Sequence, residues 1–368
     1  MKIICSQSEL SKAVNIVSKA VPTRTTMAIL ECILIDASDN TIRLMANDTE
    51  IGIETRIEGT IEEPGVVALD AKIFTDLIRK LPDNMVTINT DADFKTLIQC
   101  EKARFNIIGK SGEDFSYLPE LPKEEGILIS QYSLREIIHQ TIFSTSDSES
   151  NKIMTGELFR ITGNRLKVVA LDGHRIAIRE IELKEGSKDR DVIVPKKTLN
   201  EISKVVSGSL DDDVNIYITD NHITFVFDRT VVVSRLIDGE YFNVEQMLSS
   251  RYDTRIKINK SELLSCIDRS TLLVKEGDKK PIIMDIKDDG MHLVMNSFIG
   301  SLNEEIDISK EGGDIMIGFN PKFFIDALRV IEDDEITIYF VNPKAPAFIK
   351  NESESYIYMI LPVNFNLG

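Results

Sequence analysis

Gly109-Lys110-Ser111 has the residue types of the end of a phosphate-binding loop. Such a loop cradles phosphate with glycine-freed backbone N–H groups and places its first glycine at what is here position 104. This chain has Arg104 there, so the pattern is incomplete. His139, His174, His222 and His292 are far apart and lack the short spacings of metal ligands. Asp211-Asp212-Asp213 reads as a solvated turn before a strand, and Asp285–Gly290 lacks the alternating oxygen ligands of a calcium loop. The acidic serine run Ser144–Ser150 reads as a mobile loop. With no GxGxxG, GxSxG or HExxH, nothing assembles a nucleophile, a base and an oxyanion site. The expectation is a non-enzyme with no catalytic residues, no metal and no cofactor.

At 368 residues the chain is long enough for two or three domains, each with its own core. A net charge of -17 argues against a surface that binds nucleic acid everywhere, though not against a basic stripe within an acidic whole. The start, MKIICSQSEL, turns polar too soon for a signal peptide, and no window approaches a membrane span. Cys5, Cys32, Cys100 and Cys266 are scattered without a CxxC pair, which suits a reducing cytoplasm.

The elements that must position any site recur. VALDAKIFTDLIRKLP (67–82), VIVPKKTLNEISKVV (192–206) and IGFNPKFFIDALRVI (317–331) each read as a short strand, a helix start and an amphipathic helix. Their start residues Asp70, Pro195 and Asn320 lie 125 apart, and all three suit a helix N-terminus. A second helical set, Ser8–Val21, Ser133–Phe143 and Ser261–Val274, opens on serines able to cap. A strand pair follows each, with Asp39-Asn40, Gly163-Asn164 and Asp289-Gly290 at the hairpin tips. The fold class expected is α+β, three repeats each with two helices and antiparallel sheets, with boundaries near 122–127 and 248–254.

The six helical segments, taken as 9–24, 71–80, 133–146, 196–206, 260–275 and 322–330, carry +8 within the chain's total of -17. Lys72, Lys197 and Lys322 fall at the same place in the three repeats. Cationic helices in an acidic body suit a polyanion held without regard to sequence. A domain of this size is about 35 Å across, so a ring of three leaves a hole of about 5 Å and a ring of six a hole of about 35 Å. A duplex about 20 Å wide passes only through the second. One chain cannot encircle DNA; two can.

Other stretches carry a family resemblance: VALDGHRIAI (169–178), VIVPKK (192–197), SRLIDGEYF (234–242), IGFN (317–320), ILPV (360–363), and Arg24. Over essentially its whole length the chain resembles the bacterial β sliding clamps, the processivity subunits of DNA polymerase III. That resemblance implies the DNA clamp fold, with clamp domains over 1–124, 125–250 and 251–368 and a six-domain ring formed by a homodimer. It implies double-stranded DNA as a topological partner, contacted by Arg24, Lys72, Lys196 and Lys197. It implies a partner-peptide cleft of Met154, Gly173, His174, Arg175, Ile176, Phe242, Met247, Pro346, Met359 and Leu361. The Met-rich lining suits several extended peptides. The expected occupants come from the polymerase III alpha-type subunit, the clamp loader and other proteins with a clamp-binding motif. The dimer contact would pair Arg104 and Phe105 with Leu272 and Leu273 of the second chain. Phe242, Gln246 and Asn364 depart from the best-known enterobacterial member, and the tail NFNLG runs past the usual end. Two rivals remain: a peptide-binding scaffold that never encloses DNA, and an enzyme using Lys110 or His174.

Overall fold

A computed structural model describes residues 1–120, 126–248, 251–274 and 280–365. Lys275, residues 121–125 and 249–250 at the expected domain boundaries, and the last residues of the tail lie outside the described residues. The first repeat runs β1 (Lys2–Ser6), α1 (Gln7–Val17), β2 (Cys32–Asp36), β3 (Ile42–Asn47), β4 (Ile51–Ile57), β5 (Thr60–Glu63), β6 (Val66–Asp70), α2 (Ala71–Lys80), β7 (Met85–Thr90), β8 (Lys95–Cys100) and β9 (Ala103–Ile108). The second runs β10 (Ile127–Ser130), α3 (Gln131–Thr141), β11 (Gly156–Thr162), β12 (Arg165–Leu171), β13 (Arg175–Glu182), β14 (Arg190–Pro195), α4 (Lys196–Val205), β15 (Asp213–Ile218), β16 (His222–Phe227) and β17 (Thr230–Arg235). The third runs β18 (Thr254–Asn259), α5 (Lys260–Thr271), β19 (Ile282–Lys287), β20 (Gly290–Asn296), β21 (Ser301–Ile306), β22 (Ile308–Gly312), β23 (Ile315–Phe319), α6 (Pro321–Val330), β24 (Glu335–Phe340), β25 (Ala347–Lys350) and β26 (Tyr356–Ile360).

Helices α2, α4 and α6 begin at residues 71, 196 and 321, so the repeat spacing survives in the fold. Asp70 caps α2 by accepting from Ile73 N, and Asn320 caps α6 by accepting from Lys322 N. Pro195 instead closes β14, one residue before α4. The other helices start earlier than the serines suggest. Ser6, not Ser8, accepts from Glu9 N; Ser130, not Ser133, accepts from Ser133 N; Asn259, not Ser261, accepts from Glu262 N. Each strand runs straight into its helix, so the cap is the strand's last residue. The third hairpin tip also shifts, because Gly290 is already paired with Lys287 across β19 and β20.

The chain forms two compact units, Met1–Leu134 with Glu201–Leu236, and Arg135–Asn200 with Ile237–Gly368. The first holds a five-stranded sheet, β5-β1-β7-β8-β9, and an eight-stranded sheet, β10-β15-β16-β17-β4-β3-β2-β6. The second holds a nine-stranded sheet, β14-β11-β12-β13-β26-β25-β24-β18-β22, and a four-stranded sheet, β21-β20-β19-β23. Every ladder is antiparallel, and each unit's longer sheet is two half-sheets from successive repeats joined edge to edge. In the first unit β17 pairs with β4, Val232 facing Ile53. In the second β26 pairs with β13, Met359 facing Ile176.

The third repeat's core is typical of the packing. Leu263 and Ile267 of α5 and Phe324 and Leu328 of α6 are buried against Ile258, Ile317, Phe340 and Tyr358. Each such side chain withdrawn from water contributes about 1.5–3 kcal/mol. The four cysteines are buried and unpaired, and among the described residues no helix is long and apolar enough to cross a membrane.

Candidate partner-peptide cleft and basic helices

The phosphate-loop look-alike has a structural job. Lys110 N and O exchange hydrogen bonds with Ala68, and Lys110 Nζ donates to Ala28 O at 2.8 Å. The segment leaves a strand rather than opening a helix, so no ring of N–H groups faces a phosphate there. Among the described residues no group of three His, Cys, Asp or Glu is placed to hold a metal.

The expected peptide residues lie within the second unit. Ile176 and Met359 are buried, facing one another across the β13–β26 ladder. Met154, Phe242 and Leu361 pack, half-buried, against the apolar cluster that holds both. Gly173 and His174 lie exposed on the hairpin between β12 and β13. Gly173 has φ +87, a left-handed value that glycine adopts without strain. Met247 is exposed at the end of a 3-10 turn, and Pro346 is half-buried just before β25; neither joins the apolar cluster. Leu158, Val169, Leu171, Val244 and Phe348 do join it, although the sequence reading missed them. Their signal was present: β11, β12 and β13 are apolar on both faces, one for the helices and one left over.

Arg175 is buried. Its guanidinium donates to Asp172 at 2.9 Å, to Asp326 of α6 at 2.7 Å and to Phe143 O at 2.6 Å. It also lies 4.4 Å from the Phe323 ring centroid, against which His174 stacks on a centroid distance of 6.0 Å. The forked donor set ties the Asp172 hairpin, which carries Gly173 and His174, to α6.

Glu157, beside Leu158 on β11, is fully buried, and neither carboxyl oxygen has a hydrogen-bond partner. Burial pushes its carboxyl well above the usual range, opposed by Thr141 and the charge of Lys196. Burial likewise raises the Tyr241 hydroxyl, with Glu157 adding to the effect. Tyr241 meets Phe242 edge-on at 6.0 Å.

At the first unit's counterpart junction, Asn47 Nδ2 donates to Ser116 O at 2.7 Å. Leu118 of the same linker lies directly over Gly52, where a β-carbon would collide with it. The chain's own linker covers this junction, whereas the counterpart positions Leu171 and Ile176 are buried in the second unit's apolar cluster.

Among the residues expected to meet DNA, Arg24, Lys72 and Lys197 are exposed and Lys196 is half-buried. Lys72, Lys197 and Lys322 are each the second residue of α2, α4 and α6. The six α-helices carry a net +5, all of it on α2 (+2), α4 (+2) and α6 (+1). Positive charge thus concentrates on the second helix of each repeat. Arg104 and Phe105 are exposed on β9, the last strand of its sheet. Leu272, 79 % exposed, and half-buried Leu273 follow α5.

These half-sheets and paired helices, three times over, define a three-domain DNA clamp fold. The crystal structure of the DNA polymerase sliding clamp from Bacillus subtilis matches with a TM-score of 0.96 at 33% identity, covering 100% of both chains. A solved chain from Eubacterium rectale matches with a TM-score of 0.97 at 68% identity, over 99% of this chain and 100% of that one. A beta sliding clamp of Staphylococcus epidermidis is 34% identical over 356 residues, 94% of each chain. Family models of the DNA polymerase III beta subunit match in order: N-terminal domain at residues 1–119, central domain at 128–243 and C-terminal domain at 245–364. The chain belongs to the DNA polymerase III beta subunit family, the bacterial beta sliding clamps.

Proposed function

We propose that two copies of this chain close head to tail into a ring round duplex DNA. There the ring holds the replicative polymerase to its template as a sliding clamp in the bacterial cytoplasm. One observation carries this reading: the way the repeats join. The last strand of the second repeat, β17, pairs with β4 of the first, and the last strand of the third, β26, pairs with β13 of the second. Under the same rule β9 of the first repeat and β21 of the third are a matching pair, each ending its own sheet. A second copy supplies both partners. The hairpins β8–β9 and β16–β17 correspond, as do β3–β4 and β20–β21. Carried over, the facing pair Val232 and Ile53 becomes Phe105 facing Leu302 of the partner subunit. Arg104 and Phe105 then belong to the seam, and exposed Leu272 lies beyond α5 on the other side of it.

Two chains of three domains give six, and Arg24, Lys72, Lys196 and Lys197 would meet the DNA backbone without reading sequence. The apolar cleft round Ile176 and Met359 takes extended peptides of the polymerase III alpha-type subunit, the clamp loader and other clamp-binding-motif proteins. The chain itself does no chemistry.

The test is the native mass across a dilution series. A species of twice 41.5 kDa that persists on dilution, and falls to a single chain in Phe105→Asp, is the expected result. A single-chain mass for the native protein at every concentration would contradict the reading.

A further inference from the structure

Lys196, the first residue of α4, does not stand free. Its Nζ lies 2.5 Å from Asp147 Oδ1, in the acidic serine segment between Ser144 and Lys152. Asp147 is 89% exposed and Lys196 26% exposed, so solvent and solutes reach the pair. The bond to Lys196 holds the Asp147 carboxyl below the usual carboxylate range, and Lys322 and Arg175 add to the field. Lys196 also acts on Glu157, whose carboxyl is fully buried and is pushed by that burial well above the usual range. The exposed carboxylate in direct contact with Lys196 is that of Asp147.

The loop does not depend on this ion pair for its shape. Ser146 N donates to Met154 O at 2.9 Å, Thr145 N to Ile142 O at 3.2 Å and Met154 N to Asn151 O at 3.1 Å. Asn151 Oδ1 also accepts from Ile153 N at 3.2 Å. Asp147 can release Lys196 while the loop remains braced from within.

We propose that Asp147 is a built-in stand-in for a DNA phosphate, which occupies Lys196 in the free protein and competes with the duplex for it. This rests on the reading of Lys196 as a DNA contact. A phosphate arriving at Lys196 exchanges one anion for another, and the displaced carboxylate stays nearby to repel the backbone. The net gain per passing phosphate is small, which favours sliding over a fixed grip.

The experiment is equilibrium binding to a short linear duplex between 50 and 200 mM salt. Asp147→Asn should bind about two- to fivefold more tightly at the low-salt end, the usual strength of an exposed ion pair. Its dependence of log affinity on log salt should steepen by up to about 0.9, one phosphate's worth of released counterion. Asp147→Glu should bind as the native protein does, and the gain should disappear when Asp147→Asn is made on Lys196→Ala. Lys72→Ala is the control on the DNA reading itself. If Lys72→Ala weakens binding while Asp147→Asn binds like the native chain, the competition is wrong and the DNA reading stands. A gain of equal size on the Lys196→Ala background also overturns it, since Asp147 would then act only through the general field. If neither Lys72→Ala nor Lys196→Ala weakens binding, both ideas fail together.

Discussion

Replacing Glu157 by leucine should stabilise this protein, and by an amount that depends on pH. The native carboxyl is fully buried with both oxygens unpartnered, a condition that costs about 1–3 kcal/mol for a polar group even when neutral. Leucine has nearly the same volume and removes that cost. The pH dependence follows from the raised pKa. The folded chain holds the Glu157 proton more tightly than the unfolded chain, whose glutamates titrate near about 4.3. Below that value both states are protonated and the carboxyl adds no slope. As pH rises through it the unfolded state loses the proton first, so native stability falls by up to about 1.4 kcal/mol per unit until the folded group also ionises. The advantage of Glu157→Leu should therefore widen from pH 5 toward pH 7, and Glu157→Gln should show the same widening. The chain has no tryptophan, so urea unfolding is best followed by far-UV circular dichroism at pH 5, 6, 7 and 8. Each kcal/mol corresponds to about 2–4 °C in Tm for a cooperative unit of roughly this size. A stability difference between native and leucine chains that stays flat across those pH values would refute the reasoning, as would a leucine variant that is less stable throughout.

Other consequences can be checked on single variants. Arg175→Ala strands Asp172 and Asp326 and should cost about 3–5 kcal/mol in urea unfolding. Arg175→Lys should recover only part of it, because one ammonium cannot reproduce a fork reaching two carboxylates and the Phe143 carbonyl. Replacing Lys72, Lys197 or Lys322 singly by alanine should lower duplex affinity equally for all DNA sequences and reduce the salt slope by about 1 each. A loss confined to one DNA sequence would contradict their role as backbone contacts.

The repeat was legible because it is written in helix starts. Asp70 and Asn320 announce their helices chemically, and the 125-residue step carries over to α4 even though Pro195 turned out to close a strand. The first helix of each repeat was legible as a helix but not at its start, since strand and helix abut and Ser6, Ser130 and Asn259 belong to both. What stayed hidden was whatever depends on pairing between repeats. The partition of the second repeat between two units follows from β17 meeting β4 and β13 meeting β26, and no local pattern states those pairings. The cleft shows the same divide. Its methionines and Phe242 were singled out through the family resemblance, while Leu158, Val169 and Phe348 passed as ordinary strand core because burial on a second face leaves no separate period. Arg175 entered the cleft only through the resemblance, and two of its three acceptors, Asp326 and the Phe143 carbonyl, are distant in sequence. Glu157, a charge within a strand, reads as an outward position until the helices covering it are seen.

Retention on DNA tests the enclosing ring most directly. Clamps loaded onto a nicked circular duplex by the cognate loader, then freed of loader, would be followed before and after one cut that linearises the circle. Long retention on the intact circle and rapid loss from the ends once it is cut is the expected result. Loss at the same rate from circle and linear DNA would mean that contacts alone hold the protein, and that it does not encircle its template.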